Sequence, residues 1–273
     1  MPERIELTTR SNHRAATSTL VASLTLLTAC ASSPLERRQV VLYSEAEMAA
    51  RGAAAYSQMR EETAASEDAR ATHYVQCVAD HVVEALPEAQ RNIYLWEVTL
   101  FANEQVNAFA LPGGKIGVYE GLLDVAINQH QLAAVMAHEV GHVLANHSNE
   151  RASQSALRNV GFGVAQILGA SDTTLRALDV GTQLGLFLPF NRTQESEADL
   201  IGLTLMARAG FEPDESISLW ENMAANSGER TPALLSTHPS PSARMDELRA
   251  RMPAAELELD AAQARGAHPD CIR

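Results

Sequence analysis

The chain has 273 residues, 46% of them hydrophobic, which is enough for one sizeable core with little sign of disorder. Its formal net charge of −13 argues against nucleic acid as a partner, because phosphate binding relies on lysine and arginine. The same charge disfavours simple electrostatic docking on anionic lipid.

Arg10 and Arg14 precede an apolar run from Leu20 through Ala29, the length of a signal-peptide core and too short to span a membrane as a mature helix. Residues 1–29 therefore read as a signal peptide. The run ends in Leu27-Thr28-Ala29-Cys30, which resembles a bacterial lipobox and makes Cys30 the expected lipidated first residue. An ordinary signal peptide with an incidental cysteine is the competing reading. Ala31 resembles the residue found in lipoproteins sorted to the outer membrane, an aspartate there being the sign of inner-membrane retention. With Cys30 modified, Cys77 and Cys271 remain as an even pair in an oxidising compartment, which predicts a disulfide between them.

Residues 30–66 read as an Ala-rich polar tether followed by a helix around Ala46 to Arg60, and residues 67–273 as the main domain. Glu67 to Leu86 reads as a helix that carries Cys77. Leu95 to Phe101 alternates like a strand, and two further β-like runs flank Pro112-Gly113-Gly114.

Asn128, with Gln131 three residues on, has capping-box spacing and starts a helix at about Gln129. Leu132, Val135, Met136, Val140, Val143 and Leu144 place apolar residues around most of its cylinder, so the helix is expected to be buried. Inside it stands His138-Glu139-Val140-Gly141-His142. Residues four apart share a helix face, so His138 and His142 present two imidazoles to one ion. Glu139 projects beside that ion, where a carboxylate takes the proton of a zinc-bound water. The competing reading is a core helix whose histidines bond to backbone carbonyls. His147, five residues after His142, lies off the metal face and reads as a surface histidine at the helix end.

Ala156 to Phe190 is a long apolar stretch broken by glycines and charges, with neither half long enough to span a membrane; core-packing or cleft-covering helices are expected. Asn191 and Gln194 repeat the capping-box spacing, and Gly210 is a natural helix terminator. On the helix between them Glu195 and Asp199 are four apart and share a face. Glu195 supplies a third ligand, leaving one position for water, and Asp199 is placed to bond the second ring nitrogen of a ligand histidine. Glu197 sits about 200° from Glu195 and points elsewhere. Ser240 to Arg251 reads as a last helix, and the tail to Arg273 as peripheral.

Asn107 through Ile116, the pentapeptide His138 to His142, Arg192 through Asp199 with Gly202, and Thr237-His238-Pro239 resemble the zinc metallopeptidase family of the CAAX prenyl endopeptidases and HtpX, with closer likeness to its periplasmic lipoprotein branch. The likeness runs over roughly residues 70 to 250. Asn191 departs from the serine common before the family's arginine, which touches no ligand. The resemblance implies an α+β, mostly helical, zincin-like metallopeptidase with a small antiparallel sheet. It implies one Zn²⁺ held by His138, His142 and Glu195, with Glu139 as base and Asp199 behind the ligands. It also implies that Asn107, Ala108, Phe109 and Ala110 form the edge strand to which an extended substrate adds. His238 then has three open roles: oxyanion donor, occupant of the fourth zinc position in a resting form, or loop anchor. Arg192 and Arg244 are alternative electrophiles.

The expected protein is a zinc endopeptidase of the periplasm, lipid-anchored to the inner face of the outer membrane of a Gram-negative bacterium. Its expected substrates are unfolded or misassembled envelope proteins. The competing class is an assembly or quality-control factor with chaperone-like binding and occasional proteolysis. A structural zinc site is disfavoured by Glu139 beside an open fourth position.

Overall fold

The computed structural model describes residues 30–167, 191–225, 233–238 and 241–273. The segment read as a signal peptide and most of the apolar stretch before Asn191 lie outside these residues. Among the described residues no helix is long and apolar enough to cross a membrane.

Strands β1 (Cys30–Ser32) and β2 (Arg38–Val40) pair antiparallel at the start. Helix α1 (Glu45–Glu62) follows, then α2 (Ala69–Glu84) and the single turn α3 (Glu88–Arg91). Strands β3 (Glu97–Phe101), β4 (Ala108–Leu111) and β5 (Lys115–Tyr119) form a sheet in the order β3-β5-β4. Helices α4 (Gln129–Leu144) and α5 (His147–Ile167) come next, then α6 (Arg192–Arg208), α7 (Glu215–Ala225), α8 (Ala233–Thr237) and α9 (Pro241–Ala264). The fold is α+β and mostly helical, as expected.

The sheet is mixed rather than purely antiparallel, because β3 pairs parallel with β5 while β4 pairs antiparallel with it. The Gly113-Gly114 turn, with φ of 86° and 80°, joins β4 to β5 as a hairpin, and β3 reaches the far side of β5 by a longer connection. Strand alternation divides the sheet's side chains. Leu100, Ala108, Ala110, Ile116 and Val118 belong to the main core with α2 and α4. Phe101, Phe109 and Tyr119 face the other way and are covered by Tyr56 of α1.

Residues 30–43, expected as a tether, form the β1–β2 hairpin and a strap fixed to α5. Ser153 Oγ accepts from the Leu42 N–H at 2.8 Å, and Asn149 Nδ2 donates to the Tyr43 carbonyl at 2.7 Å. The tail is not peripheral either. Helix α9 runs thirteen residues past Arg251, because Ala255, Leu259 and Ala262 are buried on it, even with Pro253 inside. Beyond it Cys271 is disulfide-bonded to Cys77 of α2, with Cα atoms 5.7 Å apart.

Two glycines set the distance between the helices that carry the metal-binding motifs. A Cβ on Gly141 of α4 would stand 2.8 Å from the Ala198 carbonyl oxygen of α6, and one on Gly202 of α6 would stand 2.8 Å from the His138 nitrogen of α4. Backbone against backbone, the two helices cross where side chains of any size would hold them apart.

Candidate metal centre and active site

Helix α4 begins where the sequence indicates: the Asn128 side chain accepts from the Gln131 N–H at 2.9 Å. The reciprocal half of the box differs, since Gln131 Oε1 accepts from Ile127 rather than from Asn128. On α6 both halves of the Asn191–Gln194 box are present, and Gly210 closes that helix at φ 89°. These caps fix the phase of each helix, so that His138, His142, Glu195 and Asp199 all point into the α4–α6 crossing, every one buried.

His138, His142 and Glu195 converge with His238, which enters from the end of α8. His138 Nε2 lies 3.0 Å from His142 Nε2 and 3.2 Å from His238 Nδ1. Glu195 Oε1 lies 2.9 Å from His238 Nδ1 and 3.5 Å from His142 Nε2. Donors on a tetrahedral zinc stand about 3.3 Å apart when each bond is 2.0–2.1 Å. Nitrogen atoms facing one another at such distances in a buried space are accounted for by a shared cation, and three imidazoles with one carboxylate suit zinc.

Asp199 does what its spacing indicates, with Oδ1 2.9 Å from His138 Nδ1. Burial alone would raise its pKa, but the charge and paired hydrogen bonds of Arg244 outweigh this and hold it at about 2. Burial likewise opposes charge on His138, yet the Asp199 hydrogen bond and nearby carboxylates leave it raised. His142 is pushed well below the ordinary histidine range by burial and then by its neighbouring imidazoles, which keeps it a neutral donor.

Arg244 is buried and bridges both carboxylates: Nε and Nη2 donate to Asp199, and Nη1 is ion-paired with Glu195 Oε2 at 2.9 Å. Its guanidinium lies over Trp220 at 4.1 Å. Of the two arginines left as electrophiles, Arg244 is thus committed to holding ligands, and Arg192 is exposed.

Glu139 stands between the donor cluster and the sheet. Its Oε2 accepts from the Ala110 N–H of β4 at 3.2 Å, and its Oε1 is buried without a hydrogen-bond partner among the described residues. Among the described residues β4 is the edge strand of its sheet, and its Ala110 N–H reaches the Glu139 carboxylate. Apolar side chains of Val135, Leu219, Trp220, Met223 and Leu234 line a cavity that also touches His138 and His238.

His147 is the clearest departure from the sequence reading. It is fully buried and packs against His142, with ring centroids 4.9 Å apart. Spacing of five residues places His147 off the metal face at the helix end, but α4 stops at Leu144 and Asn146 adopts φ 54° before α5 starts. That turn brings the His147 ring back to the metal side. An asparagine in this place is the available signal, since it tolerates the left-handed conformation. Glu197 points away from the donors as expected, but to buried partners rather than solvent.

Fold and donor set are those of a peptidase family that holds zinc. More narrowly, the chain belongs to Peptidase family M48, whose profile matches residues 69–252. It is 40% identical over 168 residues to mitochondrial metalloendopeptidase OMA1 of Schizosaccharomyces pombe, a match covering 60% of this chain and 49% of that protein. It is 33% identical over 164 residues to the beta-barrel assembly-enhancing protease of Escherichia coli K12, covering 56% of this chain and 33% of that protein. The OMA1 metalloendopeptidase of Bos taurus is 30% identical over 194 residues, covering 66% and 37% respectively. The chain thus spans half or less of the length of these curated relatives.

Proposed function

We propose that the protein cleaves unfolded or misassembled proteins of a bacterial envelope, at a site built from His138, His142 and Glu195 as ligands and Glu139 as base. The observation that carries the reading is the position of Glu139, buried between the donor cluster and β4, which is an edge strand among the described residues. Bound zinc supplies a polarised carbonyl and an acidified water. An extended peptide added along Asn107–Ala110 takes backbone hydrogen bonds with little demand on sequence. Glu139 accepts the water's proton and returns it to the leaving amine. Asp199 fixes the ring of His138, and Arg244 keeps Asp199 ionised; at Glu195 burial opposes charge, but the hydrogen bond of His238 and the nearby His138, with Arg244, hold its carboxyl below the usual range.

His238 occupies the fourth corner of the donor set, which favours a resting closure over an oxyanion role: its Nδ1 faces Glu195 and His138, and its Nε2 lies 3.3 Å from Glu139 Oε1. The envelope location rests on the lipobox at Cys30 and on likeness to a relative named for β-barrel assembly. That name also supports a second reading, in which the protein binds assembling envelope proteins and cleaves only occasionally. Glu139→Gln separates the two. It is expected to retain fold and zinc while losing cleavage of casein; if it restores every phenotype of a deletion strain, proteolysis is not the biological role.

A further inference from the structure

We infer that His147, Glu197 and the N-terminal hairpin residues Ser33 and Arg37 are positioning residues for the metal ligand His142, which makes the first strap of the chain a working part of the site. The inference rests on the ligand assignment above and extends it to residues the catalytic chemistry does not use.

The two ligand histidines are held differently. His138 turns its Nδ1 directly to the Asp199 carboxylate. His142 turns its Nδ1 to a second imidazole, 2.8 Å from His147 Nδ1. His147 Nε2 in turn lies 3.1 Å from Glu197 Oε2. With His142 Nε2 among the donors, its Nδ1 carries the proton and donates to His147 Nδ1. The neutral imidazole of His147 then carries its own proton on Nε2 and donates to Glu197. One carboxylate thereby sets the tautomer and tilt of His142 through an intervening ring. This is the ligand–carboxylate pairing usual behind metal-bound histidines, lengthened by one residue.

Glu197 is held in turn from the other end of the sequence. Ser33 Oγ donates to its Oε1, and Arg37 Nε donates to its Oε2 at 2.7 Å. The rest of the Arg37 guanidinium forms a fork with Glu150 at 2.8 and 2.7 Å, and Glu150 accepts from Gln194 of α6 at 2.8 Å. Glu150, His147 and Glu197 are buried. A buried carboxylate pair around one arginine is costly unless its geometry is fixed, and a fixed geometry is what orienting a ligand requires.

The test uses the purified full-length protein, with zinc affinity measured by chelator competition and ligand geometry by the visible spectrum of the Co²⁺-substituted form. His147→Leu and Glu197→Ala are expected to weaken zinc by about 10–100-fold and to alter the cobalt spectrum. Arg37→Ala, whose side chain is 22% exposed and which guards against a failure to fold, is expected to shift both readouts less, in the same direction. His147→Gln is expected to recover most of the affinity, since an amide accepts through oxygen and donates through nitrogen. The His147→Leu/Glu197→Ala double variant is expected to lose little beyond the single ones, because the two act in series. Unchanged zinc affinity and cobalt spectrum alongside a lowered melting temperature of the metal-free protein would overturn the inference, leaving a merely structural network. Full zinc content in His142→Ala would instead overturn the ligand assignment, and this relay with it.

Discussion

A residue that supplies one of three protein ligands cannot be spared without loss of metal, whereas a residue that acts only on the bound water can. His138→Ala, His142→Ala and Glu195→Ala are each expected to cut zinc content sharply, read by elemental analysis of the purified protein. Stoichiometric zinc in any of them would exclude that residue as a ligand. His238 differs, because three ligands plus water already complete a tetrahedral site. As a fourth donor it has to leave before substrate binds, so His238→Ala is expected to retain zinc and to raise casein cleavage or self-cleavage. A fall of about 10²–10³-fold with zinc retained would instead assign it the oxyanion role. Unchanged turnover would remove both. The convergence of His138, His142 and Glu195 and the contact of Asp199 with His138 were legible because four-residue spacing on a helix is a geometric statement that tertiary packing does not alter. The placement of Arg244 and His147 was not. Arg244 acts through a fold-level meeting of α9 with α6, and His147 through a chain reversal at Asn146 that helical periodicity does not encode.

Between helices, the site depends on how closely α4 and α6 approach. Gly202 faces the His138 backbone with its missing Cβ 2.8 Å from nitrogen and 2.9 Å from Cα, so no flexible side-chain end is available to yield. Gly202→Ala is therefore expected to push α6 away from α4, lowering stability by about 1–3 kcal/mol. Because Glu195 and Asp199 ride on α6, zinc affinity falls with it. Thermal unfolding and chelator competition measure the two effects separately, and an alanine variant unchanged in both would contradict the close approach. The helices themselves were readable from caps and apolar periodicity, and their boundaries fall close to those expected: α4 from Gln129, α6 ending before Gly210. The parallel pairing of β3 with β5 was not, since strand order depends on long-range contacts rather than on alternation within a strand. Likewise the polar, Ala-rich run after Cys30 carries no periodic signal. Its order comes from Arg37 meeting Glu150 and Glu197, residues more than a hundred positions away.

At the scale of the whole molecule, both ends of the described chain are tied to the metal helices, and each tie is testable. If Cys30 is the lipidated first residue, intact-mass analysis of the membrane fraction finds a diacylated or triacylated residue 30, and Cys30→Ala leaves an unprocessed precursor. The anchor would then lie only a few residues from Arg37, at the outer end of the hairpin. The other end is held by the Cys77–Cys271 bond across a sequence separation of 194 residues. Here the Cys271 N–H also donates to Gln129 Oε1 at 2.8 Å, and Gln129 Nε2 donates to the Pro269 carbonyl at 3.1 Å. The tail thus pins the first turn of α4 to α2, about two turns from the first ligand histidine. Closing so long a loop is worth on the order of 5 kcal/mol in the chain-entropy treatment. Replacing both cysteines by alanine is therefore expected to lower the melting temperature by about 10 °C. Zinc stoichiometry is expected to persist, since the ligands lie beyond the pinned turn and are held by α6. A melting temperature within about 2 °C of the parent would show that noncovalent contacts, those of Gln129 and Arg273 among them, suffice to hold the tail. Loss of zinc in a still-folded double variant would show that the tie at the start of α4 is felt at His138.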